Sequence, residues 1–171
     1  TLSVVANSTG CSSAPSTITS VSKPALPTVT NIIYCQGVTA NALTGNATAT
    51  NGATLNWYTL AIGGSAATSA PTPSTSNVGS FNYYVSQTLN GIESDRAPIT
   101  VTINPAPATL TIDITQPTCN VNTATFSLTG GIANAIYLVN SGLYSNTTGV
   151  FINIPANATY SITQRDPVTS C

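Results

Sequence analysis

The sequence contains no histidine and no methionine, and charged residues make up only 4% of its 171 residues. Ordinary globular domains are about 25% charged, so the polar surface must consist mainly of Thr, Ser, Asn and Gln. Without histidine the chain cannot build a Ser-His-Asp triad or a histidine-ligated metal site, and it lacks the commonest general base. We therefore expect no catalytic, cofactor-binding or metal-binding residues, and a protein that is not an enzyme.

Three of the seven charged residues sit in one loop. Glu93 and Asp95 lie beside Arg96, and a surface salt bridge is a simpler interpretation than the paired acids of a glycosidase, which must face each other across a cleft. The formal net charge of −1 gives no electrostatic reason to bind nucleic acid. A surface with so little charge also offers little resistance to self-association.

Long hydrophobic runs are also missing. No apolar run approaches the roughly 18 residues that a membrane helix needs, although 42% of the residues are hydrophobic and can form a core. A Thr-, Ser- and Asn-rich surface is typical of secreted and cell-surface bacterial proteins. Because Thr1 is not an initiator methionine and Cys171 ends the chain without a tail, we interpret the chain as a fragment of a longer polypeptide.

The clearest structural pattern runs from Phe81 to Pro105. Apolar and polar residues alternate over 81–86 and again over 99–104, which is the period of a half-buried strand. Asn90-Gly91 supplies a turn signal between the two runs, and Pro105 ends the second one, because proline cannot donate to a ladder. The pattern predicts an antiparallel hairpin.

The same pattern occurs once more, 81 residues earlier. Five pairs of identical residues keep this one offset. They are Val4 and Val85, Gly10 and Gly91, Ser13 and Ser94, Ile18 and Ile99, and Pro24 and Pro105. A period near 80 residues is too long for a solenoid repeat and suits a string of small β-sandwich domains.

We therefore predict an all-β protein of tandem immunoglobulin-like β-sandwich domains. Residues 1–24 would be the last strands of a preceding domain, residues 25–105 a complete domain, and residues 106–171 a second all-β unit. A turn and then a buried strand are expected over 34–43. The predicted core of the middle domain consists of Trp57, Tyr83, Val85, Ile99 and Val101. An exposed Trp57 that stacks on a ligand is the alternative.

The four cysteines are expected to form disulfides. None belongs to a C-x-x-C pair and no histidine completes a zinc site, so an oxidising compartment is the better interpretation. We predict a Cys119–Cys171 bond that ties the first and last strands of the second unit, with a stabilisation of about 4 kcal/mol from loop closure. For Cys11 and Cys35, a bond across the proline-marked link and two free thiols remain open alternatives.

Two sets of motifs resemble known repeats. The residues Y-C-Q-G (34–37), L-N-W-Y (55–58) and Y-Y-V-S-Q-T-L-N-G-I-E-S-D-R-A (83–97) resemble the Ig-like repeats of giant surface proteins in the Bacteroidota. The residues Q-P-T-C (116–119), S-L-T-G-G (127–131) and A-T-Y-S-I-T-Q-R-D-P-V-T-S-C (158–171) are similar to the SprB-type repeat of gliding-motility adhesins.

The resemblance implies a location and a role. Such proteins are long chains of β-sandwich repeats that the type IX secretion system exports and that act as adhesins on the outer membrane. We therefore expect an extracellular, cell-surface segment, structural or adhesive, that contacts neighbouring repeats of the same polypeptide. Further expected partners are a surface polysaccharide or other copies of the chain, and anchoring and secretion machinery reached through parts of the protein outside this sequence.

One departure from the family pattern concerns the cysteines. In the Ig-like repeats the cysteine of Y-C-Q-G pairs with one in G-C-E-S, but here Ile92 stands at that place, and Cys11 occupies the equivalent position one repeat earlier. This implies that Cys11 belongs to the preceding domain. Two other functions remain as alternatives: a carbohydrate-binding module of a secreted polysaccharide-degrading enzyme, and a filament subunit that donates a strand from Thr1–Pro24.

Overall fold

The structure is a computed structural model that describes residues 21–156 and 158–171. Cys11 and most of the predicted N-terminal repeat therefore lie outside the described residues. The described part of the chain contains thirteen strands and two short 3-10 helices, which confirms the all-β fold class. Neither of these helices is long and apolar enough to cross a membrane.

The chain divides into two compact units, each assembled from separate stretches of sequence. The first contains the described residues up to Thr30, together with Thr44–Pro71 and Tyr83–Ile99. The second contains Asn31–Leu43, Thr72–Asn82 and Thr100–Cys171. The domain boundaries near residues 25 and 106 remain predictions from the sequence.

Seven of the described strands precede residue 105. They are β1 (Thr28–Val29), β2 (Ile32–Cys35), β3 (Ala47–Thr48), β4 (Thr54–Tyr58), β5 (Gly79–Leu89), β6 (Ile92–Glu93) and β7 (Ala97–Asn104). The main sheet has the order β2-β7-β5-β4, β6 pairs with β5, and β1 pairs with β3. The β4–β5 and β5–β6 pairs are antiparallel, whereas β2 runs parallel to β7.

The predicted turn at Asn90-Gly91 is present, but it joins β5 to the short strand β6, and the predicted second strand is the separate strand β7. Leu89 of β5 pairs with Ile92 of β6, which leaves Asn90 and Gly91 as the two loop residues. Their φ angles are 52° and 77°, and a two-residue loop with both φ values positive is the form that Asn-Gly favours. The turn that the sequence predicts is therefore the turn that closes β5 onto β6.

The predicted core residues take two different environments. Trp57 is 4% exposed and pairs directly with Val85 across β4 and β5, so the alternative of an exposed Trp57 is wrong. Ile99 and Val101 are fully buried on β7. Tyr83 is only half-buried, because it lies one residue beyond Tyr84, where the pairing of β5 with β4 ends.

The prediction of a buried strand after Gly37 is wrong. Gln36 and Gly37 form the expected turn, but residues 38–42 have no regular structure, and a 3-10 helix follows at Leu43–Asn46. Leu43 is fully buried and begins this helix. A single apolar side chain inserted from a short helix thus takes the place of the predicted strand.

Gln87 is a buried polar residue whose hydrogen bonds hold two other segments. Its side chain is fully buried. Its Oε1 accepts a bond of 2.6 Å from the Thr50 backbone N–H, and its Nε2 donates bonds of 2.8 Å to the Ala25 carbonyl and the Thr50 hydroxyl. Because each polar atom has a partner, the side chain can be buried without the penalty of an unmade bond.

Replacement of Gln87 should therefore destabilise the fold. The Gln87→Leu variant removes the three hydrogen bonds to Thr50 and Ala25, and since each such bond contributes roughly 0.5–1.5 kcal/mol, we expect a loss of about 1–3 kcal/mol in the free energy of unfolding. Urea denaturation followed by the fluorescence of Trp57, the only tryptophan, measures the loss. Gln116→Leu, at an exposed position, is the control, and equal midpoints for the two variants would contradict the prediction.

Six strands form the C-terminal β region, defined here as residues 106–171. They are β8 (Thr111–Thr115), β9 (Thr123–Thr129), β10 (Ile136–Val139), β11 (Tyr144–Asn146), β12 (Val150–Pro155) and β13 (Ile162–Arg165). They form two three-stranded sheets with the orders β12-β9-β8 and β11-β10-β13. Apolar side chains from both sheets share one core, including Phe126, Leu128, Tyr137, Val139, Phe151 and Ile154.

Gly131 permits a close approach of side chains in this region. A Cβ atom built on Gly131 would lie 2.3 Å from the Tyr137 hydroxyl oxygen and 2.9 Å from the Gln164 side-chain oxygen. Both distances are shorter than real Cβ contacts allow. The second glycine of S-L-T-G-G is therefore required by the packing of Tyr137, which is itself buried.

The Gly131→Ala variant should lose stability for this reason. Forcing Tyr137 and Gln164 to move is an overpacking change, and such changes cost about 1–3 kcal/mol. The loss should be visible as a lower thermal midpoint by circular dichroism. Gly45→Ala is the matched control, since a Cβ there meets no atom within 4 Å and its φ is ordinary. An unchanged midpoint in Gly131→Ala would show that the space is free.

The disulfide differs from the one predicted. Cys171 is bonded to Cys35, with 5.5 Å between the two Cα atoms, and Cys119 is free and exposed. The predicted Cys119–Cys171 bond is therefore wrong, and so is the alternative Cys11–Cys35 bond. The reason is that pairing depends on Cα atoms coming within about 4.4–6.8 Å of each other, which the fold decides and the sequence spacing does not.

Candidate functional site

Four of the seven charged residues meet at one cleft in the first compact unit. Lys23, Glu93, Asp95 and Arg96 line it, together with Ala61, Ile62, Gly63 and Ser94, and its volume is about 350 Å³. In a chain with so few charges this concentration makes the cleft the first candidate for a functional site. The contacts of each charged group show how the charges are used.

Glu93 accepts hydrogen bonds from two hydroxyl groups. The Tyr58 and Ser86 hydroxyls both donate to its Oε1 atom. Tyr58 lies at the end of β4 and Ser86 in the middle of β5, so the carboxylate of the short strand β6 holds both longer strands. The bonds from Ser86 and Tyr58 lower the pKa of Glu93 below its ordinary value of 4.5, with a further contribution from the Arg96 charge.

Arg96 fixes the loop that follows β4. Its guanidinium lies over the Tyr58 ring, 3.3 Å from the ring centroid, in a cation–π contact. Its Nη1 atom donates hydrogen bonds of 2.7 Å to the carbonyls of Leu60 and Gly63. The same side chain thus stacks on the last residue of β4 and binds two backbone carbonyls of the loop.

Ser94 and Asp95 complete the cluster. The Gln87 N–H donates to the Ser94 hydroxyl at 3.0 Å, and the Ser94 N–H donates to the Gln87 carbonyl at 2.9 Å. Ser94 therefore continues the pairing with β5 just past β6. Asp95 forms an ion pair of 2.5 Å with Lys23. Both of these side chains are more than 60% exposed, so the pair contributes little to stability.

The chemistry of this cluster favours a structural role. The lowered pKa of Glu93 keeps its carboxylate ionised at neutral pH, and an ionised, hydrogen-bonded carboxylate accepts protons poorly and has none to donate. Arg96 is committed to two carbonyls and an aromatic ring. Within the described residues, no three side chains of His, Cys, Asp or Glu come close enough together to hold a metal ion.

The aromatic side chains do not form an exposed binding platform. Trp57, Tyr58 and Tyr137 are buried, and the other five tyrosines are half-buried. Phe81 is 39% exposed. The planar row of exposed rings that a sugar-stacking surface needs is therefore not found among the described residues.

An apolar groove of about 310 Å³ lies in the second compact unit, within the C-terminal β region. Its walls include Ile112 and Ile114 of β8, which are 44% and 45% exposed, together with Phe126, Tyr160 and Ile162. Among the described strands, β8 pairs only with β9, and none of them covers its other edge. No sequence pattern signalled this groove, because the alternation of β8 predicts a covered face.

Comparison with known families gives a match over the residues that contain the first set of motifs. The model of the family described as "Ig-like domain CHU_C associated" matches residues 24–105. This match and the sheets described above confirm that this part of the chain is an immunoglobulin-like β-sandwich domain. The chain matches none of the curated proteins with which it was compared.

The hydrogen bonds to Glu93 should make stability depend on pH. Because the folded-state pKa is lowered, the contribution of Glu93 is present at pH values above its ordinary pKa and is lost as the pH falls through the folded-state pKa. We expect Glu93→Gln to be less stable than the wild type at pH 7, with a smaller difference at pH 3.

Urea denaturation of both proteins at the two pH values tests this prediction. Trp57 provides the signal, because it is next to Tyr58 in β4. Asp113→Asn, on the exposed strand β8, controls for the removal of one carboxylate. A difference between Glu93→Gln and wild type that stays constant from pH 7 to pH 3 would contradict the role assigned to Glu93.

Proposed function

We propose that this chain is a structural or adhesive repeat segment of a large secreted cell-surface adhesin, and that it is not an enzyme. The observation that carries the proposal is the match of residues 24–105 to an Ig-like domain family. Supporting it, the motif residues of this domain serve packing: Gly91 turns the hairpin, Glu93 joins strands, and Arg96 holds a loop.

The finer part of the proposal rests on the resemblance to surface proteins of the Bacteroidota. Export by the type IX secretion system, attachment to the outer membrane and a part in gliding motility are properties of the proteins that this chain resembles. The SprB-type likeness of the C-terminal β region belongs to the same proposal. Scarce charge and a Thr-, Ser- and Asn-rich surface agree with an extracellular location.

The two alternatives have less support. A carbohydrate-binding module would use exposed aromatic rings, and in the described residues the rings of Trp and Tyr are buried or half-buried. A strand-donating filament subunit would use Thr1–Pro24 as the donor, and residues 1–20 lie outside the described residues. The proposed partners are therefore neighbouring repeats of the same polypeptide, and then a surface polysaccharide or another copy of the chain.

Immunolabelling of intact cells tests the proposed location. An antibody against residues 24–105 should label intact cells of the source organism, and brief protease treatment of those cells should remove the label. Disabling type IX secretion should shift the antigen into the cell. Labelling that requires permeabilised cells in the unmodified strain would contradict the proposal. An antibody against a cytoplasmic protein controls for cell integrity.

A further inference from the structure

The disulfide encloses almost the whole of the described chain. Cys35 is the last residue of β2, and its bond to Cys171 spans 136 residues of sequence. Eleven of the thirteen strands, from β3 to β13, lie inside the covalent loop that this bond closes. Of the described strands, only β1 and β2 precede the loop.

This arrangement decides how tension would pass through the molecule. A force applied to the two ends of a polypeptide follows the shortest covalent path between them. Here the path runs along the residues up to Cys35, crosses the sulfur–sulfur bond, and leaves at Cys171. Residues 36–170 are connected in parallel with that bond and need not extend while it is intact.

We propose that the Cys35–Cys171 disulfide is a mechanical bypass, which shields the hairpin of the Ig-like domain and the entire C-terminal β region from tension. The biological importance of this device rests on the proposed function, because a surface adhesin is the setting in which the chain would be pulled. The bypass itself is a property of the covalent structure and can be measured on the purified chain.

The bypass places the load on the residues before the bond, whose described strands are β1, paired with β3, and β2. Strand β2 pairs in parallel with β7, from Ile32 opposite Val101 to Cys35 opposite Asn104, and the Gln36 N–H donates to the Asn104 carbonyl at 2.8 Å. Tension that reaches β2 is passed to the disulfide at its last residue. The pairing of β7 with β5, and the Glu93 and Arg96 contacts beyond it, therefore remain outside the loaded path.

The length of chain that the disulfide hides differs enough between the two possible bonds to be measured. A fully extended chain spans at most about 3.5 Å per residue, so the sequence separation of 136 between the two cysteines hides about 480 Å at that spacing. The 35 residues up to and including Cys35 reach about 120 Å when stretched. A Cys119–Cys171 bond would instead have a sequence separation of 52 (171 − 119 = 52) and hide only about 180 Å.

Single-molecule force spectroscopy with handles at Thr1 and Cys171 measures these lengths on the full chain. We expect the oxidised protein to stretch to about 120 Å and no further. Dithiothreitol should then release the remaining length of about 480 Å. In that step Cys35 and Cys171 each gain a proton and an electron, while dithiothreitol is oxidised to its cyclic disulfide.

Two variants keep the test decisive. Cys119→Ser is the matched control and should hide the same length as the wild type. The double variant Cys11→Ser, Cys119→Ser leaves Cys35 and Cys171 as the only pair that can bond within the chain, and it should also hide about 480 Å. A hidden length near 180 Å, or full extension of the oxidised protein, would overturn the proposal.

These outcomes are separate from those of the labelling experiment. A chain found inside cells would contradict the proposed function and leave the measured lengths unaffected. A surface-exposed chain that extends fully when oxidised would leave the proposed function standing and remove the bypass. The reduced wild type also serves as its own control for folding, because it is reduced after the folded molecule has been tethered.

Discussion

The covalent bond between Cys35 and Cys171 is the constraint on which the described organisation depends. It joins the end of β2, in the Ig-like domain, to the last residue of the C-terminal β region. Closing a loop of 136 residues restricts the unfolded chain, which corresponds to about 5 kcal/mol in the chain-entropy model. This one bond therefore ties together segments that the sequence alone would assign to separate, independent repeats.

Hydrogen bonds of Asp166 define the turn that precedes Cys171. The Asp166 carboxylate accepts a hydrogen bond of 2.8 Å from the Val168 N–H, which lowers the pKa of Asp166. The Asp166 N–H donates to the Cys171 carbonyl at 3.0 Å, so the chain folds back on itself directly after β13. A carboxylate in this position uses one of the few charges of the protein to shape the backbone next to the disulfide.

The charged side chains at the cleft of the first compact unit also serve the structure. Glu93 and Arg96 form hydrogen bonds and a ring contact that hold β4, β5 and a loop together. Groups committed in this way stabilise a domain and have little capacity left for chemistry. The proposed role as a repeat segment of a surface protein is consistent with such a use.

The sequence predicted the features that depend on neighbouring residues. The alternation over 99–104 identified β7, and Asn90-Gly91 identified the turn between β5 and β6, because strand period and turn conformation are local properties. Gln87 was not recognised, since a glutamine in a strand suggests an exposed face, and its burial depends on partners 37 and 62 residues away.

The prediction of the cysteine pairing was wrong for a related reason. The predicted bond was chosen because it would join the first and last strands of one unit, but a disulfide requires two Cα atoms to come close in space. Cys35 ends the strand that pairs in parallel with β7, and Cys171 follows the turn at Asp166. Neither feature has a periodic signal in the sequence.

The most direct test of this account is a peptide map of the four cysteines under non-reducing conditions. Protein purified from its native compartment is alkylated, digested without reductant and analysed by mass spectrometry. The account predicts one peptide pair that joins Cys35 to Cys171, with Cys119 alkylated. A peptide pair that joins Cys119 to Cys171 would contradict it and would restore two separately closed units.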